Sequence, residues 1–344
     1  MQRTGLLYQL LCRWGDWWCN HTVDDYCPAV RFFVCTDSWL VRVATKNEGG
    51  CKLIELLIAP FTIDFMQQAL ITALLLGVAS AVLSCFLVLR GWALMGDAIS
   101  HAVLPGIVLA YAAGIPVVIG AFLAGIFCTL ATGFMTENSR LKEDTVMGVV
   151  FSGMFGLGVV LFSVFRIDVH LHEILFGDIL GLSWRDVWQT GLVATVSVLL
   201  VWVKRKDLLV HCFDPQHARA IGLPVSALHY GLLVLLSVVI VAALKVVGII
   251  LVIALLIAPG AIGYLMTDRF DAMLLYAVCS AVLASVTGIV VSFVLDSAPA
   301  PTIVLMLMIM FILVFLFSPS HGLIGSQFSR RKSATDKSAD LANY

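Results

Sequence analysis

The sequence predicts an all-α polytopic membrane protein with eight or nine transmembrane helices. Composition is the first reason. The chain has 344 residues, of which 60% are hydrophobic and only 12% charged, whereas soluble domains carry about 25% charged and about 45–50% apolar residues. The second reason is patterning: from Met66 onward, apolar runs of spanning length follow one another with short polar breaks. The third is physical. Lipid offers no partner to a bare backbone N–H or C=O, so each such run must close its own hydrogen bonds as a helix.

Taken in order, residues 1–55 differ from the rest. They hold four of the eight tryptophans, five of the nine cysteines (Cys12, Cys19, Cys27, Cys35, Cys51) and no apolar run long enough to span. The cysteine gaps fit no C-x2-C zinc pattern, and no compact apolar region follows a basic start as in a secretory signal. This segment reads as a poorly ordered extension or an upstream stretch brought in by a misplaced start. Residues 56–319 read as the transmembrane domain, with helices expected near 66–89, 98–114, 116–135, 146–165, 187–203, 227–245, 246–267, 271–295 and 300–317. Only Gly114 and Ile115 separate the second run from the third, so one of these two is a candidate re-entrant segment. Residues 320–344 read as a polar tail. Cys85, Cys128 and Cys279 lie within apolar runs, where cysteine packs as a small apolar residue.

Charge orients the chain. Arg330, Arg331 and Lys332, the run Lys204-Arg205-Lys206, and Arg140 with Lys142 all fall on one side, which the positive-inside rule makes cytosolic. Residues 166–186 then lie outside. With nine spans the N-terminus is outside, and with eight it is inside. No basic stripe suggests nucleic acid.

The stretch "LMGDAISHAVLPG" (94–106) carries the most chemistry. On a helix, Asp97, His101 and Pro105 stand at i, i+4 and i+8, along one face. Proline lacks an N–H, so the His101 carbonyl loses its helical donor. Carboxylate, imidazole and carbonyl suit manganese, iron(II) or zinc, and suit copper(I) poorly, although Met95 is near. The same residues also fit a simpler arrangement in which Asp97 caps a helix by accepting the Ser100 N–H and Pro105 merely kinks it. Spacing leaves both open. A second Pro-Gly step occurs in "LLIAPGAIG", so Pro105-Gly106 and Pro259-Gly260 are candidate helix breaks and gating points, or packing kinks.

The outer segment contains "HLHE". Its His170, His172 and Glu173 are secondary metal or outer-face candidates, or a solvated polar patch. The second histidine of H-E-x-x-H is missing, which argues against a zinc protease. No G-x-x-x-x-G-K-[ST] occurs in the sequence, so an ATP-driven process needs a separate ATPase. The connection 204–226 is the longest on the basic side. Within it "DPQHARAIG" predicts a short helix with Asp214 at the N-cap, Pro215 at the first position and Gly222 just past the end.

Together these pieces resemble the membrane permease subunits of metal-uptake ABC transporters, the zinc/manganese/iron class, and most closely its chelated iron and manganese branch. The resemblance covers about Met66 to Pro319. It rests on "GDAISHAVLPG", "LKEDTVMGVVFSGMFGLG", "LFGDILG", "FDPQHARAIGL" and "VGIILVIALLIAPGAIGYLMTDRF". Residues 1–55 have no counterpart in that pattern. The resemblance implies a multi-pass protein of the bacterial inner membrane with no resident cofactor. It implies a pathway metal site at Asp97 and His101, and a coupling helix at Asp214–Gly222 in which Ala218 and Gly222 face the ATPase. It also implies three partners besides lipid: a cytosolic ABC ATPase dimer, a second permease that is homologous or identical, and an extracytoplasmic metal-binding protein that docks near 166–186. A secondary transporter driven by an ion gradient is the alternative. A membrane enzyme is weaker, because no complete catalytic set is present.

Overall fold

The structure is a computed structural model and describes residues 64–92, 94–140, 143–165 and 181–318. The described residues form ten helices and no strand. In chain order these are α1 (Asp64–Arg90), α2 (Met95–Ala112), α3 (Val117–Asn138), α4 (Glu143–Phe165), α5 (Trp184–Phe213), α6 (Pro215–Ala220), α7 (Val225–Val247), α8 (Ile249–Met266), α9 (Phe270–Leu295) and α10 (Pro299–Phe317). All except the six-residue α6 are long and apolar enough to cross a membrane, which makes nine candidate spans among the described residues. On either side of Gly114-Ile115, α2 and α3 are separate helices of 18 and 22 residues, and each is a candidate span.

Helix α1 lies at the centre, in contact with α5, α7, α8 and α9. Its buried small residues explain how. Ala69, Ala73, Gly77 and Ala81 recur every four positions, and Gly77 faces Ala281 and Ser285 of α9. Lipid removes the hydrophobic drive between helices, so association depends on close packing where side chains are small. The α2–α3 pair is the clearest case. Gly106 and Ala110 of α2 lie against Gly120 and Ala124 of α3, and a methyl group added to either glycine would overlap the other helix's backbone. On α9, a methyl at Gly288 would come within 2.7 Å of the Ile303 Cα of α10.

The two Pro-Gly steps are not breaks. α2 and α8 run as continuous helices through Pro105 and Pro259. Each proline deletes one helical hydrogen bond, but the glycine after it lets a neighbour press against the helix at that level. For Gly106 the neighbour is α3. For Gly260 it is α1: the Gly260 N–H donates to Ser84 Oγ (2.9 Å), and the same hydroxyl donates to the Ile257 carbonyl (3.3 Å). Ser84 thus serves the α8 backbone at the step where proline weakens it.

One boundary moves substantially. The fifth span continues to Phe213, so Lys204, Arg205 and Lys206 are helix side chains and not the start of a loop. Arg205 pairs with Asp271 of α9 at 3.1 Å and stacks over Trp202 at 5.0 Å. At the opposite end of α5, Asp186 pairs with Lys245 of α7 at 2.6 Å. An alternating up-down path brings these pairs together, one at each end of the bundle.

Gly120→Val should destabilise the protein by at least about 1–3 kcal/mol through overpacking. Gly148→Ala should cost nothing and by helix propensity add up to about 1 kcal/mol, since nothing lies within 4 Å of a methyl there. Unfolding in mixed detergent micelles, followed by helical circular dichroism, measures the difference.

Candidate metal site and short connecting helix

Helix α2 starts two residues before Asp97. Leu94 is the N-cap, without a side-chain capping bond, and its carbonyl accepts the Ala98 N–H at 2.9 Å. Asp97 is therefore the third helical residue and does not cap α2. The capping alternative fails because the helix begins earlier than Gly96 suggests. Ser100 turns its hydroxyl to the Gly96 carbonyl (2.7 Å). The Asp97 carboxylate is left to reach along the helix, and its Oδ1 stands 3.3 Å from His101 Nε2. Two donors each about 2.1 Å from one ion, at an angle of roughly 100°, are separated by about that distance. The separation is thus of the size that two donors to one divalent cation have.

The face is shared with α4. The His101 ring packs edge-on against both Phe151 and Phe155, with centroids at 5.3 and 5.4 Å, and these two rings stack on each other at 6.2 Å. A turn further along, Gly158 of α4 would meet Leu104 and Pro105 if it carried a methyl. Asp97, His101 and Pro105 thus form one stripe, as their spacing predicted. The Asp97 and His101 side chains keep 36% and 25% of their exposure, enough for further ligands to enter. Met95 is buried in the core and supplies no sulfur. No group of three or more His, Cys, Asp or Glu among the described residues could hold a metal, so Asp97 and His101 form an incomplete set. His170, His172 and Glu173 lie outside the described residues.

The short helix α6 has the caps its sequence predicts. Asp214 Oδ1 accepts the N–H groups of Gln216 (2.9 Å) and His217 (3.0 Å), and Pro215 fills the first turn. At the other end the Leu223 N–H reaches the Ala218 carbonyl (3.0 Å) and the Gly222 N–H the Arg219 carbonyl (3.1 Å), a Schellman closure. Gly222 has φ +82°, a conformation that side chains disfavour. Ala218, expected to face the ATPase, is instead fully buried, the one buried residue of α6, which packs on α5 and α7. The outward face presents Gln216, His217, Arg219, Ile221 and Gly222.

Beneath α6, Arg90 at the end of α1 donates to the His211 carbonyl in the last turn of α5 (3.4 Å) and lies 5.5 Å over the Trp92 ring. Trp92 packs edge-on against His229 of α7 (5.2 Å), which in turn stands 6.0 Å from the His211 ring. This cage ties the α1–α2 connection, which leads straight into Asp97, to the junction of α5, α6 and α7.

Residues 62–318 match the ABC 3 transport family. The chain belongs to that family. This ABC 3 chain is 58% identical over 252 residues to the chelated iron transport system membrane protein YfeD of Yersinia pestis, covering 73% of this chain and 85% of that one. It is 46% identical over 275 residues to the manganese transport system membrane protein MntB of Synechocystis, covering 80% and 90%. Among solved structures, PsaBC from Streptococcus pneumoniae in complex with Fab matches with a TM-score of 0.69 and 37% identity, covering 78% of this chain and 97% of that one. The ABC 3 chain is thus a membrane permease subunit of an ABC transporter, a multi-pass plasma-membrane protein.

Two parts of this ABC 3 site escape sequence reasoning. Phe151 and Phe155 stand at i, i+4, a spacing that marks one helix face, but nothing in the sequence aims that face at His101. The Arg90–His211 link joins residues 121 positions apart, and no local pattern announces it.

Removing the α6 cap with Asp214→Ala should cost about 1 kcal/mol. Hydrogen exchange at the Gln216 and His217 amides should speed up by roughly fivefold, while amides in the middle of α5 stay unchanged.

Proposed function

We propose that this ABC 3 permease imports a divalent transition metal, manganese or iron(II) ahead of zinc, with ATP hydrolysed by a separate cytosolic ATPase dimer. The observation that carries the reading is the Asp97–His101 pair, a carboxylate oxygen and an imidazole nitrogen 3.3 Å apart on one face of a spanning helix. Ionisable groups in that position are expensive and generally functional. Oxygen and nitrogen donors without sulfur favour the borderline divalent ions over copper(I). The relatives, membrane proteins of chelated iron and manganese transport systems, support the same class.

The chain's own residues then act as follows. Metal delivered from outside by a binding protein meets the Asp97 carboxylate and the Nε2 of His101. The remaining ligands come from water and from a second permease. Helix α4 packs on α2 along one face, leaves most of its other residues exposed, and offers that exposed face to the partner beside the site. The ATPase docks on the outward face of α6. Its closure displaces α6 as a rigid, doubly capped unit. The movement passes through the last turn of α5 and the Arg90–Trp92 cage to the start of α2, shifting the balance between outward-open and inward-open states.

Asp97→Ala and His101→Ala should each abolish cellular manganese or iron accumulation while the protein still inserts and co-purifies with its ATPase. Accumulation at the unaltered level in both variants would overturn the site. Ile221→Asp, on the exposed face of α6, should leave the metal site intact but break ATPase docking, read as loss of co-purification. An ATPase that stays bound and fully coupled would show that α6 is only a connector.

A further inference from the structure

An apolar groove of about 380 Å³ runs between α5 and α7 toward the basic end of the bundle. Leu200 and Leu208 line one wall, and Leu228 and Leu235 the other. Its floor is open at Gly231, where nothing lies within 4 Å of an added methyl. Along α7 the groove extends from Pro224 to Leu235, about 16 Å of helix, close to half the thickness of a hydrocarbon core.

Lys204 and Asp207 are the charged residues of its lining. They stand on the groove stripe of α5 with Lys204 Nζ 3.4 Å from Asp207 Oδ2, and their side chains are 61% and 36% exposed. Neighbouring charges are turned elsewhere. Arg205 is committed to Asp271 and Trp202, and Lys206 lies about 200° around the helix from Lys204. Depth is set by α5 itself. Trp184 begins the helix, and twenty residues on, about 30 Å at helical rise, comes Lys204, which matches one hydrocarbon thickness. Trp184 and Trp202, both exposed, mark the two interfaces as aromatic anchors do. Lys204 and Asp207 are therefore at headgroup level, and Leu200 and Leu235 at acyl-chain level.

We propose that this groove holds one phosphatidylethanolamine molecule, an acyl chain between α5 and α7, its phosphate on Lys204 and its primary ammonium on Asp207. The charge pattern selects the headgroup. A loose pair of one cation and one anion is matched by a headgroup bearing both signs. Phosphatidylglycerol answers only Lys204 and leaves Asp207 facing a phosphate. Phosphatidylcholine has both charges, but its quaternary nitrogen has no N–H to donate to the carboxylate. Leu223 and Pro224, which follow α6 directly, also line the groove, so the bound lipid joins α5 to the segment that ends the short helix.

The test is native mass spectrometry of the full-length protein, purified in detergent and given phosphatidylethanolamine, phosphatidylglycerol and phosphatidylcholine at equal concentration. One phosphatidylethanolamine should be retained per chain, with a two- to fivefold preference over either competitor, about what an interfacial ion pair supplies. Asp207→Asn should turn the preference toward phosphatidylglycerol, and Lys204→Ala should remove preference altogether. Gly231→Phe should block the groove and lower retention of all three. Equal retention of the three lipids by the unaltered protein would overturn the proposal. So would a preference for phosphatidylglycerol, or a phosphatidylethanolamine preference that survives in the Lys204→Ala/Asp207→Ala double variant. Both charged side chains are on the surface, so these variants fold. The readout uses no ATPase, and its failure leaves the docking role of α6 untouched.

Discussion

Backbone-to-backbone approach at small side chains is the constraint that the rest of this structure obeys. In a bilayer the exterior of a helix is as content with lipid as with protein, so only dense packing and shared hydrogen bonds hold two spans together. Gly106 against Gly120, Gly260 against Ser84 and Gly288 against Ile303 mark the places where this happens. The same contacts permit proline inside α2 and α8. A helix with one bond deleted stays straight enough when a neighbour presses on it at that level, and at Gly260 the Ser84 hydroxyl adds a donor and an acceptor of its own. The metal-site stripe of α2 is held between α3, which meets it at Gly106, and α4, which meets it at Pro105 and His101.

What was legible in the sequence follows from the range of each physical effect. Spans are local facts about hydrophobicity, so nine apolar runs could be read, with eight or nine of them expected to span. So could α6, whose caps are short-range chemistry: Asp214, Pro215 and Gly222 each act on backbone groups within three residues or so. The i, i+4 relation of Asp97 and His101 needed only helical geometry. Errors arose where a residue's meaning depends on something distant. Lys204-Arg205-Lys206 looked like a loop because charge leaves the membrane, yet a helix need not stop there, and Asp271 of α9 holds α5 in place. Asp97 after Gly96 resembled a cap because the sequence does not reveal that Leu94 already starts the helix. Ala218 carries no mark of the side it faces until α6 is laid on the bundle.

The two regions that the proposed function rests on are unlike in construction. The short helix is over-determined, capped at both ends and with Ala218 buried against the bundle. The Asp97–His101 pair is under-determined: two polar side chains with partial exposure beside a helix that is mostly exposed. A site meant to store a metal would complete its coordination sphere. One meant to pass a metal onward, as the proposed function has it, gains from leaving part of that sphere to others.

The contacts of His101 separate two properties of the Asp97–His101 pair. The backbone spacing of the two residues belongs to α2 alone, since both side chains leave the same helix one turn apart. The tilt of the imidazole belongs also to α4, whose stacked Phe151 and Phe155 both press edge-on against one side of the ring. A slide of α4 along α2 would therefore let the ring turn, and change the distance from its nitrogen to the carboxylate, while the helix that carries both stays as it is. Under the proposed function, affinity for the cargo is in this way tied to the position of one peripheral span.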